Sequence, residues 1–338
     1  MLGLQPGLVH AEAAPDTERE TIEAPFFSVD GFLPAGDAER LRAEFDGHFA
    51  DPARHEPARH QVWNYWYVPQ LYTYLRTSPE KVIAEPLLRQ FYDTLCVFAR
   101  EVLGLAYVSW PNLSLYVAGC EQHLHNDSAN GRLGYVYSLT RGARRTIGGQ
   151  TIVLREGDPF RDNMERPAAG WGLYDLVEPD FNRLTLFDDR MPHGVSRVEG
   201  SMDPVEGRLV LHGHISEGGA TTDGPISADQ IDSLLAAALA GIEAELRRGP
   251  IIHHGPLTLR LRIGASGRVE QLQPLLNRVA RTDGLPAREA VERVMATVRA
   301  LRWPSAATAT VATVPILIGG MLPWIRESQA APRRAPGP

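Results

Sequence analysis

The sequence predicts an all-β, double-sheet body of jelly-roll type with helices on its flank, followed by a smaller α+β unit. Three observations point there. Between Trp110 and His212 the chain breaks into short stretches of period two punctuated by glycine, the pattern of an all-β sandwich or barrel. Ahead of them lie two stretches at helical spacing. After them comes Ser216-Glu-Gly-Gly-Ala-Thr-Thr-Asp-Gly-Pro225, small and polar, beyond which helix and strand patterns alternate again. A chain of 338 residues is long enough for about two such domains.

Composition narrows the function classes. Apolar content of 43% and charged content of 22% are those of an ordinary globular protein. The net charge of −7 argues against a nucleic-acid partner, since no basic excess is left to neutralise phosphates. Two cysteines, Cys96 and Cys120, suit a reducing compartment better than a disulfide framework. No stretch is long and apolar enough to cross a bilayer, and the first residues carry no basic segment followed by an apolar run. The expectation is a cytoplasmic protein without membrane contact.

Taken in order, residues 1–24 are polar and aperiodic and predict a loose arm. Phe26 to Val29 reads as a strand running into a turn at Gly31. Asp37 is the expected N-cap of a helix bearing Leu41, Phe45 and Phe49 at fourfold spacing. The aromatic run from His60 to Tyr74 fits either the wall of a substrate pocket or a strand pair packing on the core. Ser78-Pro79-Glu80 predicts a helix start, with Leu88, Phe91, Leu95, Phe98 and Val102 on one face until Gly104. Leu113, Leu115 and Val117 then alternate with polar neighbours, and further strands are expected over 134–139, 150–154, 182–187 and 208–212. The connection from 156 to 181 has the length of a functional loop or a disordered one.

The chemistry is concentrated in Tyr116-Val-Ala-Gly-Cys-Glu-Gln-His-Leu-His125-Asn-Asp127. Side chains two apart on a strand share a face, so His125 and Asp127 can aim at one point. A second histidine, His193, follows Asp188-Asp-Arg-Met-Pro at the end of an expected strand, where a rigid backbone can fix the ring beside an open turn. Together they offer the two-His-one-carboxylate face that holds Fe(II) with positions left open. His123 has the same parity and is a rival ligand. The pair of His125 with Asp127 is favoured because a carboxylate balances metal charge. Arg208 alternates with Leu209 and Leu211, so if those leucines pack outside the barrel, Arg208 points inward and needs an anion such as a dicarboxylate. Arg197 is the rival cation, in a turn-like run nearer His193.

These motifs, Tyr116-x-x-Gly119-x-x-x-x-x-His125-x-Asp127, Gly148-Gly149-x-Thr151, Phe187-x-x-x-x-x-His193-x-Val195 and Arg208-Leu-Val-Leu, resemble those of the Fe(II)- and 2-oxoglutarate-dependent oxygenases of the prolyl 4-hydroxylase-like class, over residues 25–216. The resemblance implies a double-stranded β-helix, the metal ligands His125, Asp127 and His193, and a cosubstrate pocket in which Arg208 grips the far carboxylate and Tyr116 lines the wall. It implies Fe(II), 2-oxoglutarate and O2 as cofactor and cosubstrates, with ascorbate as a possible reductant, and hydroxylation of an aliphatic C–H. With Asp127 present no ligand position is vacant for a halide. The sequence departs from the pattern in a long stretch between His193 and Arg208, and in Val210, where many relatives carry a hydroxyl residue.

Residues 217–225 are the expected linker and 226–325 the α+β unit, with a loose tail over 326–338. Within it Gly267-Arg-Val269, Val298-Arg-Ala-Leu-Arg-Trp303-Pro304 and Thr313-Val-Pro315-Ile resemble the C-terminal domain of TonB-like proteins. That resemblance implies a protein or peptide partner recruited at a sheet edge; a dimerisation or packing module is the plainer alternative. His253-His254 reads as a loop feature. Three functions stay open: a hydroxylase of an amino-acid residue in a peptide, an oxygenase of a free small molecule, and a cupin-like metal protein without 2-oxoglutarate chemistry.

Overall fold

The computed structural model describes residues 20–50, 63–128, 130–142, 145–155, 173–246 and 250–319. They form two compact units. One is built from Ala24–Val102 and Tyr107–Ser216, the other from the chain after Glu217 with Leu103–Ala106 and residues 20–23. No described helix is long and apolar enough to cross a membrane.

The first unit runs β1 (Phe26–Asp30), α1 (Ala35–Phe49), β2 (Asn64–Val68), β3 (Tyr72–Thr77), α2 (Glu85–Phe98), β4 (Tyr107–Val108), β5 (Asn112–Tyr116), β6 (Glu121–His125), β7 (Leu133–Ser138), β8 (Thr146–Ile147), β9 (Thr151–Leu154), β10 (Tyr174–Val177), β11 (Arg183–Asp188), β12 (His193–Val195), β13 (Glu199–Gly200) and β14 (Arg208–Ser216). Twelve of these strands make one curled antiparallel sheet, ordered β1-β11-β7-β14-β5-β3-β6-β12-β9-β10, with β2 on β3 and β4 on β14; β8 pairs with β13 apart from it. The pairing is nested: β5 with β14, β6 with β12, β7 with β11, β9 with β10. A four-strand run laid against the next four and then wound up gives this order, and β14·β7 and β12·β9 close the winding. The arrangement is consistent with a jelly-roll body.

Strand parity decides where the core lies. Leu113, Leu115, Leu209, Leu211, Tyr135, Tyr137, Leu184 and Leu186 occupy one face of β5, β14, β7 and β11 and are all buried. The apolar sides of α1 and α2 cover them, with Phe91 of α2 centred 4.8 Å from Tyr137 and Phe32 edge-on to both rings. Arg208, Val210 and His212 therefore face the other way, into the roll.

Two helix starts differ from the expectation. Helix α1 begins at Ala35 after Pro34, so Asp37 sits inside the first turn, where its charge suits the helix dipole and it binds Arg40 and Gln90. At Ser78 there is only a one-turn 3-10 element, Pro79–Lys81, and α2 starts at Glu85. Pro86 explains the break: it lacks an N–H and fits a helix only in the first turn. Past Phe98 the coil widens into a π turn over Ala99–Leu103 and stops at Gly104, whose φ of 68° an L side chain rarely adopts. Strand β10 lies within the connection expected to be a loop; residues 156–172 of that connection lie outside the described ones.

The second unit comprises β15 (Thr221–Asp223), α3 (Ala228–Leu246), β16 (His253–Ile263), β17 (Val269–Asn277), β18 (Ala280–Arg281), α4 (Arg288–Ala300) and β19 (Thr310–Ile318), with sheet order β15-β19-β16-β17 and β18 on the start of β16. Leu257, Leu259, Leu261 and Ile263 share a buried core with Ile231 and Leu235 of α3 and Val291, Val294 and Val298 of α4. Ser227 and Gln230 form a reciprocal cap at the start of α3: the Ser227 hydroxyl accepts from the Gln230 N–H while the Gln230 carboxamide accepts from the Ser227 N–H. The expected linker is partly structured, because Thr221–Asp223 add to the edge of β19. The last residues of the expected arm are likewise held, since Ile22 bridges in parallel to Leu276. Residues 1–19 of the arm, and the tail over 326–338, lie outside the described residues.

Candidate metal centre

His125 closes β6, His193 opens β12, and the two are paired directly across the ladder. Their rings are centred 4.5 Å apart. Asp127, two residues past β6, is turned inward by its own N–H, which donates to the Asp189 carbonyl at 2.8 Å. Its Oδ2 lies 3.5 Å from His193 Nε2 and 3.9 Å from His125 Nε2, and one ligand atom from each of the three falls within 4.8 Å of the other two. Two donors on one metal ion at bonds of about 2.1 Å can be no more than about 4.2 Å apart, so both distances to Asp127 suit a shared ion.

The donor atoms are prepared for that role. His125 Nδ1 bonds the His123 carbonyl at 2.8 Å, and His193 Nδ1 bonds the Met191 carbonyl at 2.9 Å. A carbonyl accepts only, so both rings carry their proton on Nδ1 and turn an Nε2 lone pair to the centre. Asn130 donates to Asp127 Oδ1 at 3.1 Å, leaving Oδ2 toward the imidazoles. Burial lowers the His125 pKa and keeps that ring neutral. Burial alone would raise Asp127, but the three histidines around it, His193, His214 and His125, outweigh it and bring the carboxyl down to about 2. Two neutral imidazoles and one carboxylate are the donor set that suits Fe(II).

His123 is not part of the centre. The register of β12 against β6 shifts between His193 opposite His125 and Val195 opposite Gln122, a bulge that breaks the parity linking His123 to His125. Its side chain is 52% exposed and sits 3.7 Å from Glu121. The bulge also sets Gly194: a Cβ there would strike the Gln122 carbonyl and the His123 backbone. Arg197, the rival cation, is held at the surface by Glu121 at 3.0 Å and Glu199 at 2.7 Å. His253 and His254 belong to neither of the two possible metal-holding groups among the described residues.

Arg208 is 2% exposed and reaches across the roll to Thr151 of β9, its Nη2 donating to the hydroxyl at 3.0 Å. Its guanidinium lies 4.8 Å over the ring of Tyr116, the residue opposite it on β5. Gly149, at φ 79°, would bring a Cβ to 3.2 Å from Arg208 Cδ, so its bareness leaves room for the arginine stem. Burial raises the Tyr116 pKa and keeps the phenol protonated; it donates to Gln122 Oε1 at 3.3 Å, and the Gln122 amide nitrogen is 3.4 Å from His125 Nε2. Tyr116 and Gln122 thus connect the cationic end of the site to the histidine end.

Several residues of the site carry no sequence signal, or a partial one. Tyr72 stands edge-on to His125 at 5.1 Å, Tyr74 stacks on Tyr116 at 5.1 Å, and Phe187 packs on His193 at 4.2 Å. The first two lie in the aromatic run, and their place favours the pocket wall over the core. Tyr65 and Tyr67, by contrast, are exposed and stacked on each other. Asp189 and His214 make a buried pair at 3.1 Å beside Asp127 and form with it a second possible metal-holding group. Burial pushes Asp189 up to about 6 despite His214, while Asp189 outweighs burial to raise His214. No spacing in the sequence announces that pair.

No family model matches the chain, and no curated protein does. Among solved structures it is similar to a prolyl-4-hydroxylase from Pseudomonas putida, at 19% identity over 57% of this chain and 92% of that one, with a TM-score of 0.39. A prolyl hydroxylase from Trichoplax adhaerens in complex with a hypoxia inducible factor peptide fragment is 16% identical over 56% and 81% of the two chains, with a TM-score of 0.40. The non-heme α-ketoglutarate-dependent epimerase SnoN from nogalamycin biosynthesis is 16% identical over 58% and 77%, with a TM-score of 0.39. At such identities and scores the assignment of function rests on the site itself, a His125–Asp127–His193 group able to bind a metal ion beside a buried arginine.

Proposed function

We propose that this protein is an Fe(II)- and 2-oxoglutarate-dependent dioxygenase that hydroxylates an aliphatic C–H, built on a double-stranded β-helix. The observation that carries the reading is the convergence of His125 Nε2, His193 Nε2 and Asp127 Oδ2, with both imidazole protons committed to backbone carbonyls. When bound, the iron with 2-oxoglutarate and O2 supplies the oxidising chemistry, one oxygen atom going to the substrate carbon and the other to succinate as CO2 leaves.

The chain's own share is positioning and exclusion of water. His125 and His193 offer neutral nitrogen donors, and Asp127 adds the negative charge that partly balances a divalent ion. Arg208, with its fork oriented by Thr151, receives the far carboxylate of 2-oxoglutarate, and Tyr116 walls that end. Tyr72 and Phe187 cover the two histidines from opposite strands, which keeps bulk water from the reacting centre. The substrate is an amino-acid residue of a peptide, recruited by strand addition along residues 269–273 of β17, the part of that edge strand not already paired by Ile22.

The test is direct. The full-length protein with Fe(II), 2-oxoglutarate, O2 and ascorbate is expected to form succinate, and Asp127→Ala to form none. A wild-type protein that binds iron yet never converts 2-oxoglutarate would be a cupin-like metal protein instead. Turnover of an identified peptide that survives deletion of the residues after 220, with iron binding intact, would refute recruitment.

A further inference from the structure

A second guanidinium faces the same inner surface and has no task in the reading above. Arg76 stands on β3 opposite Ser114 of β5, two residues past Tyr74 and hence on its face of the sheet. It lies 4.9 Å over the ring of Trp66, Trp66 stacks on Tyr74 at 6.1 Å, and Tyr74 stacks on Tyr116 at 5.1 Å. Since Arg208 lies over Tyr116, a run of three stacked rings carries one guanidinium at each end. The Arg208 end is buried. The Arg76 end opens outward, with Trp66 41% exposed.

Arg76 has no acid partner among the described residues, although the chain holds 41 acidic side chains. The groups that feel its charge are Tyr74, His212 and His214. Tyr74 and His212 are uncharged at neutral pH: burial raises the phenol, and burial with Arg76 lowers the imidazole to about 3. Tyr74 and His214 also feel Asp127, so the same two side chains stand between Arg76 and the metal-binding carboxylate. A half-buried guanidinium gives up hydration without the Coulomb gain of a pair, and its planar fork suits a carboxylate better than any other common anion except phosphate.

We propose that Arg76 binds a carboxylate of the substrate, with Trp66 and Tyr74 flanking the aliphatic body that carries the reacting C–H. The enzyme then acts on an aliphatic acid, either free or as an acidic residue of a peptide, anchored at the end of the aromatic run away from Arg208. The oxidation itself rests on the function proposed above; the anion site does not.

Ligand-observed NMR tests it on the full-length protein, kept anoxic with Fe(II) and saturating 2-oxoglutarate so that the Arg208 end is filled. The probes are matched pairs, each a carboxylate and its primary amide: hexanoate, N-acetyl-leucine, and a glutamate-containing tripeptide against its glutamine counterpart. At least one acid is expected to bind about tenfold or more tightly than its amide. Arg76→Met should erase that preference and Arg76→Lys retain part of it. A preference confined to the tripeptide assigns the carboxylate to a peptide residue, and one confined to the small acids assigns it to a free molecule. Equal binding of acid and amide throughout the set overturns the proposal without needing any variant to fold. So does a preference that survives in Arg76→Met, or an Arg76→Met protein that loses 2-oxoglutarate affinity instead. Succinate formation, measured alongside, reports separately on the oxygenase reading.

Discussion

Replacing Arg208 by alanine separates cosubstrate binding from metal binding more cleanly than any other change at this site. The guanidinium is 2% exposed, so a carboxylate that meets it is largely removed from water. Truncating one partner of a buried, hydrogen-bonded charge pair costs about 2–5 kcal/mol. At about 1.4 kcal/mol per factor of ten, 2-oxoglutarate should bind roughly 30- to 4,000-fold more weakly. Fe(II) affinity should stay within about twofold, because Arg208 supplies none of the three ligand atoms. Arg208→Lys keeps the charge but loses the fork and should fall between. Thr151→Val, which removes only the hydroxyl that orients the fork at 3.0 Å, should cost about 0.5–1.5 kcal/mol of cosubstrate binding. Arg197→Ala should change nothing, its partners being Glu121 and Glu199. The measurements are anoxic calorimetry of 2-oxoglutarate binding to the iron-loaded protein and a separate iron titration, with circular dichroism as the check on folding. Equal loss of iron and 2-oxoglutarate affinity in Arg208→Ala, or unchanged 2-oxoglutarate binding, would refute the assigned role.

Four further outcomes are expected. His193→Ala and Asp127→Ala should each lower iron affinity by at least about tenfold in a titration, since a site of three ligands loses one of them. Chloride should not be incorporated by the unmodified protein, because Asp127 holds the position a halide would need; a chlorinated product found by mass spectrometry would contradict this. Gly194→Ala should destabilise the fold by about 1–3 kcal/mol in denaturant titration and weaken iron binding with it, because the new methyl group meets the Gln122 carbonyl beside His193. In metal-free protein, Asp189 should contribute a fall in thermal stability as pH rises from about 4 to about 6, set against the opposite slope from His212, whose imidazole burial lowers to about 3. Asp189, raised to about 6 by burial, holds its proton more tightly folded than unfolded, so at this carboxyl the folded state binds more protons across that window and loses this advantage as the carboxyl ionises. Asp189→Asn should remove the falling contribution and make stability rise more steeply with pH over that window than in the wild type, and identical profiles for the two proteins would refute the assignment.

What the sequence disclosed follows from how each strand is used. Leu113 and Leu115, or Leu209 and Leu211, alternate visibly because one face of their strands packs on helices while the other is polar. The same alternation made Arg208 legible as an inward cation. Strand β12 is three residues long and β10 four, too short for a period to show, and both were hidden in expected turns or loops. His125, Asp127 and His193 could be singled out from spacing and strand-end position. His123 could not be set aside, because parity counts residues two apart and a bulge adds one that no composition rule reveals. The Asp189–His214 pair was beyond reach for a different reason: each residue reads as a surface group, and only the pairing of β11 and β14 with β7 brings them together.

The first unit thus divides its labour by strand parity. In most small β bodies the space between the two layers is the hydrophobic core. Here the inner face carries Arg208, His212, His214, Tyr116, Ser114 and Arg76, none of which supplies apolar burial at the cost of a leucine. The burial comes instead from the outer face, where α1 and α2 lie over Leu211, Tyr137 and their neighbours. A sheet whose stability is secured from outside can hold cations and neutral histidines inside it. That is the condition for a site that must exclude water and still receive an anionic cosubstrate. It also fits α2 beginning at Glu85 and not at Ser78: the helix needs only the length that brings Leu88, Phe91, Leu95 and Phe98 onto the sheet.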